Sequence, residues 1–427
     1  MNSEKNSTPV RKVEVLVIGS GPAGMAAAIA AREAGVQNLL VLEREQNMGG
    51  ILRQCIHNGF GLHRFKEELT GPEYAQRDID RVRELGIEVH CGTTVLSVSR
   101  DRRVTAISRE YGFELFECGA VILAMGCRER PRGALATPGT RCAGIYSAGT
   151  AQKFVNLEGF MPGKRVVILG SGDIGLIMAR RMTLQGAEVL ACVELMPYSS
   201  GLNRNIVQCL QDYNIPLYLS HTVIDIQGRE RLSGVTVAQV DENRRPIPGT
   251  EKHFDCDTLL LSVGLIPENE LTEMAEVEIS PLTAGAVVDD TLQTSVEGIF
   301  ACGNVLHVHD LVDFVSAESL KAGKAAAEYV QGKKRSGTYV AVKDGACVRG
   351  VVPQRLLIPD GEAREVQLMF RPAGVYRKAT LRVMDGEREI ARQRKPVFTP
   401  GEMAEILLKP EQIKALSGAD LTVQIEQ

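Results

Sequence analysis

Two stretches of this chain share one hydrophobic pattern. Residues 13–18 and 165–169 are apolar-rich runs, which predict strands buried in a parallel sheet. A glycine-rich turn follows each run. Strong helix formers come next, at 26–34 after the first turn and 174–184 after the second. Gly35 stops the first helix, and apolar runs at 39–42 and 187–193 predict the next strand of each unit. Each copy therefore opens as strand, turn, helix, strand.

Between the copies the pattern changes. Gly71-Pro72 opens a predicted helix whose Tyr74, Ile79, Val82 and Leu85 share one buried face. Residues 87–90 predict a short strand, 94–99, 104–108 and 113–117 hairpin strands, and 120–124 a buried strand. After the second copy, strands are predicted at 234–240 and 254–262. Both series end alike, in Ala124-Met125-Gly126 and in Ser262-Val263-Gly264. A small-x-Gly ending lets the chain turn sharply away from the strand. A further short strand ends at Gly303, and a helix is predicted over 314–330.

The run 332–337 reads as a linker. Beyond it Val366, Leu368 and Phe370 alternate with Gln367 and Met369, a β-like but imperfect pattern. Strands are predicted at 365–370, 379–384, 389–394, 404–408 and 421–425, with Asp385-Gly386 as a hairpin turn. The expected product is a small β-sandwich-like domain that docks a partner or another copy of the chain.

The turns carry the chemistry. Gly19-Ser20-Gly21-Pro22-Ala23-Gly24 and Gly170-Ser171-Gly172-Asp173-Ile174-Gly175 both fit Gly-x-Gly-x-x-Gly. One such motif is weak evidence. Two, each between a strand and a helix, point to two dinucleotides and to electron transfer between them. The glycines permit a tight turn and close approach to a pyrophosphate, and the helix presents free N–H groups to that anion. Pro22 sits where a missing N–H does little harm. Glu43 follows Gly24 by 19 residues, and Glu194 follows Gly175 by 19. An acid at that spacing accepts hydrogen bonds from a ribose, and at Glu194 it favours NADH over NADPH.

Composition narrows the reading without changing it. At 427 residues the chain has room for two or three domains. Its net charge of −4 gives no basic field for nucleic acid. The polar segment 1–12 lacks the apolar core of a signal peptide, and no apolar stretch is long enough to span a membrane. The ten cysteines are scattered, with no C-x-x-C and no metal-site spacing, which points to a reducing cytoplasm and to no metal.

Together these landmarks resemble the pyridine nucleotide–disulfide oxidoreductase family of flavoproteins over residues 12–332. The resemblance implies an α/β fold of two Rossmann-like domains, with the NAD(P)-binding domain, 146–266, inserted between FAD-binding parts 1–145 and 267–332. The β-rich domain would occupy 338–427. By resemblance, Gly19, Gly21, Pro22, Ala23, Gly24, Glu43, Arg44, Gly49 and Gly50 would bind FAD, with Ala124, Gly126, Gly303 and Asn304 completing its site. Gly170, Gly172, Asp173, Ile174, Gly175, Glu194 and Gly264 would bind NAD(P)H. Asn304 stands where the family usually has Asp; it still accepts from a ribityl hydroxyl but brings no charge. The helix after it would aim its positive end at the flavin. Segments 49–69 and 303–316 resemble the NADH oxidase-like flavoprotein partners of anaerobic-type glycerol-3-phosphate dehydrogenases, which implies a partner dehydrogenase subunit.

Family members that reduce disulfides carry a cysteine pair, and here Cys55 stands alone near His57. A lowered pKa at Cys55 would suit a thiol or peroxide reductase, the first alternative. A nucleotide-binding redox sensor or scaffold is the second. His57 and His63 read as polar lining. His307 and His309 have no third metal ligand near them in sequence, so helix-entry structure or a proton relay is expected there.

Overall fold

The computed structural model describes residues 9–427. Most of the polar amino-terminal stretch, 1–8, lies outside the described residues. The chain forms two units, one of Met1–Cys127 with Pro267–Gln427 and one of Arg128–Ile266. The second begins at Arg128 rather than 146, because the segment before 146 bonds into it: Ala143 N donates to Glu230 O and Thr140 N to Ile226 O.

In the first unit, parallel strands lie in the order Glu88–His90, Leu39–Leu42, Val10–Ile18, Gly112–Leu123. Gly112–Leu123 is one strand, where two were expected around Cys118-Gly119. Gly119 keeps it continuous, since an added Cβ would lie 2.7 Å from Glu14 O on the neighbouring strand. Its free edge is divided: the first half pairs antiparallel with Arg103–Ser108, and the end pairs parallel with Ile299–Ala301. The helices Pro22–Glu33 and Val312–Val330 pack through small residues. A Cβ at Gly323 would lie 2.0 Å from Ala27 O, so only glycine permits this approach.

Gly71–Glu84 is capped by its own side chains. Thr70 Oγ1 accepts from Glu73 N, and Glu73 accepts from Thr70 N in return. Thr70→Ala should cost about 1 kcal/mol, checked by denaturant titration.

The second unit has a five-stranded parallel sheet, in the order Ile145–Ser147, Thr258–Leu261, Arg165–Leu169, Glu188–Glu194, Leu217–Leu219. Alternation along Arg165–Leu169 sends Val166 and Ile168 into one core and Val167 and Leu169 into another. The strand expected at 254–262 is two, Lys252–Phe254 and Thr258–Leu261. The first joins an antiparallel sheet with Leu232–Gln239, and the second joins the parallel sheet.

The carboxyl-terminal region is β-rich, with sheets of five and three strands. Three of its strands were not foreseen: Gly337–Asp344, Val348–Val352 and Arg355–Pro359. In the larger sheet Leu421–Glu426 lies between Gly337–Asp344 and Tyr376–Asp385. Leu356, Leu368, Phe370, Leu381 and Val423 build the core. Ion pairs Arg335–Asp290, Arg364–Glu328 and Arg371–Asp310 join this region to the rest of its unit. Among the described residues no helix is long and apolar enough to cross a membrane.

Candidate functional site

Both glycine turns stand at the carboxyl ends of parallel strands, where open α/β sheets bind ligands. Within each turn the three glycines do different work. Gly19 has φ +102°, and a Cβ there would lie 2.5 Å from Ala124 O. Gly24 packs its helix on the strand, for a Cβ would lie 1.8 Å from Gly19 O. Gly21 faces space instead: its Cβ position has Gly50 Cα, 4.0 Å away, as nearest neighbour. The second turn repeats this. Cβ atoms at Gly170 and Gly175 would lie 2.0 Å from Ser262 O and 2.7 Å from Ser262 Cβ, while Gly172 has nothing nearer than 3.6 Å. The outer glycines serve packing, and the middle one leaves a slot that a side chain would fill.

The two acids are wired identically. Glu43 Oε2 accepts from Ser20 N at 2.7 Å and Ser20 Oγ at 2.8 Å, and its Oε1 accepts from Glu45 N at 2.8 Å. Glu194 Oε2 accepts from Ser171 N at 2.9 Å and Ser171 Oγ at 2.6 Å, and its Oε1 accepts from Met196 N at 2.9 Å. Both carboxylates are buried. Each therefore fixes its turn while keeping further lone pairs for a ribose. The serines were missed as functional residues, although their shared place between the first two glycines was the available signal.

The two glycine-turn helices start alike, and, like Asn203–Cys209 and Val312–Val330, neither is capped by a side chain. Pro22–Glu33 and Asp173–Leu184 begin at Gly21 and Gly172 with no side-chain cap. Gly71–Glu84 and Ala148–Lys153 cap themselves with Thr70 and Ser147. The first helix also has no acid in its opening turn, so its free N–H groups stay available to an anion. In the second, Asp173 turns aside to accept from Leu202 N at 2.8 Å and Asn205 Nδ2 at 2.6 Å, beside Ile174.

Most expected residues of the first site come together. Gly49 N donates to Ser20 O at 2.9 Å, a Cβ at Gly50 would lie 2.8 Å from Gly21 Cα, and one at Gly303 2.7 Å from Ala23 Cβ. Arg44 is exposed. Gly126 and Gly264 bend the chain at φ +74° and +101°. Asn304 Oδ1 accepts from His309 N at 3.0 Å, so one of its lone pairs is already used. The helix Val312–Val330 starts two residues earlier than expected, and its first turn carries the buried carboxylate of Asp313. That carboxylate accepts from Gly61 N at 3.1 Å and Arg64 N at 2.8 Å. It offsets the positive helix end that was expected to act on a flavin.

Cys55 departs from the low-pKa reading. Its thiol donates to Ile51 O at 3.3 Å, and burial pushes its pKa up to about 12. His57 Nδ1 lies 3.0 Å from Asn58 O, and its ring leans on Phe60.

The histidine pair acquires a partner that the sequence did not show. His307 Nε2 lies 2.5 Å from Glu318 Oε2, and His309 Nε2 lies 3.2 Å from Glu318 Oε1. All three side chains are buried. Arg371, on the β-rich strand Val366–Pro372, holds the same loop: it binds Asp310 through both carboxylate oxygens and donates to Val308 O at 2.9 Å.

A broad cleft of about 970 Å³, lined by Lys12, Glu117, Arg335 and Tyr339, opens at the amino end of Val10–Ile18. It lies roughly 20 Å along the strand from Gly19. Its mixed charges converge on no group, and the glycine slots remain the candidate site.

The profile of the family described as pyridine nucleotide-disulphide oxidoreductase matches residues 13–345. The chain is 27% identical to the glutamate synthase [NADPH] small chain of Escherichia coli, over 74% of this chain and 69% of that protein. It is 26% identical to the dihydrolipoyl dehydrogenase of Pseudomonas aeruginosa (78% and 74% covered). It is 25% identical to an opine oxidase subunit of Agrobacterium tumefaciens (68% and 61%). Its fold matches T. acidophilum thioredoxin reductase with a TM-score of 0.62 at 24% identity, over 74% of this chain and 98% of that one.

Proposed function

This chain belongs to the pyridine nucleotide-disulphide oxidoreductase family, and from that premise we propose an NADH-preferring flavoenzyme that exchanges electrons with a partner dehydrogenase subunit or a small acceptor. As a family member it is an FAD-dependent NAD(P)H oxidoreductase. The observation that carries the reading is the pair of matched cradles, each an uncapped helix, an open middle glycine and a buried acid tied to a serine.

The first cradle fits FAD. Gly50 packs against Gly21 Cα, while the Cβ position of Gly21 opens on free space at the helix start, which suits a pyrophosphate. Gly19, Gly24, Gly49, Gly303 and Asn304 frame it, and Glu43 accepts from the adenosine ribose. The second cradle, at Gly170, Gly172, Gly175 and Glu194, takes the nicotinamide dinucleotide. Glu194 would repel a 2′-phosphate, and the first basic residue after it is Arg204, ten positions on, so NADH is the favoured form. Bound FAD supplies the two-electron chemistry, while the chain supplies binding, orientation and electrostatics.

One relative is named as a small chain, and another as one subunit of an oxidase. The β-rich region extends well past residue 345, where the family match ends, and offers surface for a partner.

Purified protein should show flavin absorbance, and anaerobic titration should bleach it with NADH at least tenfold more readily than with NADPH. Protein without flavin bands after FAD addition would overturn the reading. Co-purification from the native cell, followed by the same titration, identifies the acceptor. A Cys55→Ser variant should keep NADH-driven turnover within twofold, because a thiol at pKa about 12 is almost wholly protonated at neutral pH. Loss of turnover with flavin reduction intact would restore the thiol mechanism.

A further inference from the structure

Glu318 lies buried on the inner face of Val312–Val330, among Val315, Ser319 and Ala322. A carboxylate out of water costs much stability unless it is compensated. Among the described residues no lysine or arginine pairs with it, and its ion-pair partners are His307 and His309. It accepts three bonds: His307 Nε2 at 2.5 Å, His309 Nε2 at 3.2 Å, and the backbone N–H of Gly303 at 2.7 Å. Both imidazoles therefore carry a proton on Nε2. The other nitrogen of His309, Nδ1, is buried without a hydrogen-bond partner.

The charge state follows from the same contacts. Burial opposes ionisation of Glu318, but the two histidines outweigh it and hold the carboxyl well below its usual range. Burial pushes His307 down, toward the neutral form. The Glu318 carboxylate thus stands directly behind Gly303, which packs on Ala23 in the first turn of the glycine helix. Across the loop, Arg371 is the positive charge that acts on His307, and its guanidinium is paired with Asp310.

We propose that Glu318 is a positioning residue that holds Gly303 and sets the reduction potential of the flavin in the first cradle. The inference rests on reading that cradle as the FAD site. A buried negative charge disfavours electron-rich reduced flavin, so the cofactor is biased toward passing electrons on. The histidines keep the carboxylate ionised where water cannot.

The test measures the ratio of reduced to oxidised flavin at a fixed NADH/NAD+ ratio in the FAD-loaded protein. Glu318→Gln keeps an acceptor for Gly303 N–H and removes the charge. It should move the ratio at least tenfold toward reduced flavin, about 30 mV for a two-electron couple, with FAD affinity within threefold. Glu318→Ala should give the same shift and weaken FAD at least tenfold. Arg371→Met, at the half-buried domain contact, should move the ratio the opposite way. An unchanged potential in Glu318→Gln overturns the inference, as does a shift toward reduced flavin in Arg371→Met. Wild-type protein that takes up no FAD overturns the site reading itself, a different and separable result.

Discussion

Gly24→Ala should strip the flavin from this protein and lower its thermal midpoint by several degrees. The added methyl would lie 1.8 Å from Gly19 O and 2.8 Å from Gly19 C, both backbone atoms that cannot rotate away. Overpacking of this kind costs about 3 kcal/mol. Gly21→Ala is the control. Its methyl meets nothing nearer than 4.0 Å, so stability should hold within about 0.5 kcal/mol. Yet that methyl projects into the open space at the helix start where a pyrophosphate would sit, and FAD affinity should fall at least tenfold. Scanning fluorimetry and the flavin-to-protein absorbance ratio separate the two effects. A Gly24→Ala protein with full flavin and the wild-type midpoint would remove the packing role assigned to this glycine.

The second large effect concerns the acids. Glu194→Ala leaves Ser171 N, Ser171 Oγ and Met196 N without their acceptor, and each unsatisfied buried donor costs about 1–3 kcal/mol. The turn should loosen, and the KM for NADH should rise more than tenfold with flavin content unchanged. Glu43→Ala should do the converse, releasing flavin while NADH still binds the apoprotein. Steady-state kinetics and NADH binding by calorimetry check the pair. If both substitutions act on the same ligand, the assignment of one cradle to each dinucleotide is wrong.

The cradles were legible in the sequence because their signals are local. Leu39–Leu42 and Arg165–Leu169 fall where the apolar runs predicted them. Their boundaries are set by adjacent glycines and charged residues, not by distant contacts. Cys118-Gly119 misled because a glycine in an apolar run ordinarily marks a break; here it admits the neighbouring backbone of Glu14. Gly337–Asp344 was hidden beside a basic, glycine-flanked run that looked like linker. Its alternation was present, with Val340 and Val342 buried, but its partner Leu421–Val423 comes from some 80 residues further on. The Glu318 cluster was invisible for the same reason. His307 and His309 could be seen together, whereas Glu318 joins them only through the loop and helix that fold them together. Its one trace was an acidic residue on a helix face otherwise made of small and apolar residues.

The central place of Leu421–Glu426 bears on how the protein is made. This strand pairs with Gly337–Asp344 on one side and Tyr376–Asp385 on the other. The larger sheet of the β-rich region therefore cannot close until residues 421–426 have left the ribosome. Until then two strand edges stay open, and open edges recruit other chains. A product cut short before Leu421 would keep both edges exposed permanently. The few residues at 421–426 thus cover two edges at once, down to the pairing of Glu426 with Thr380.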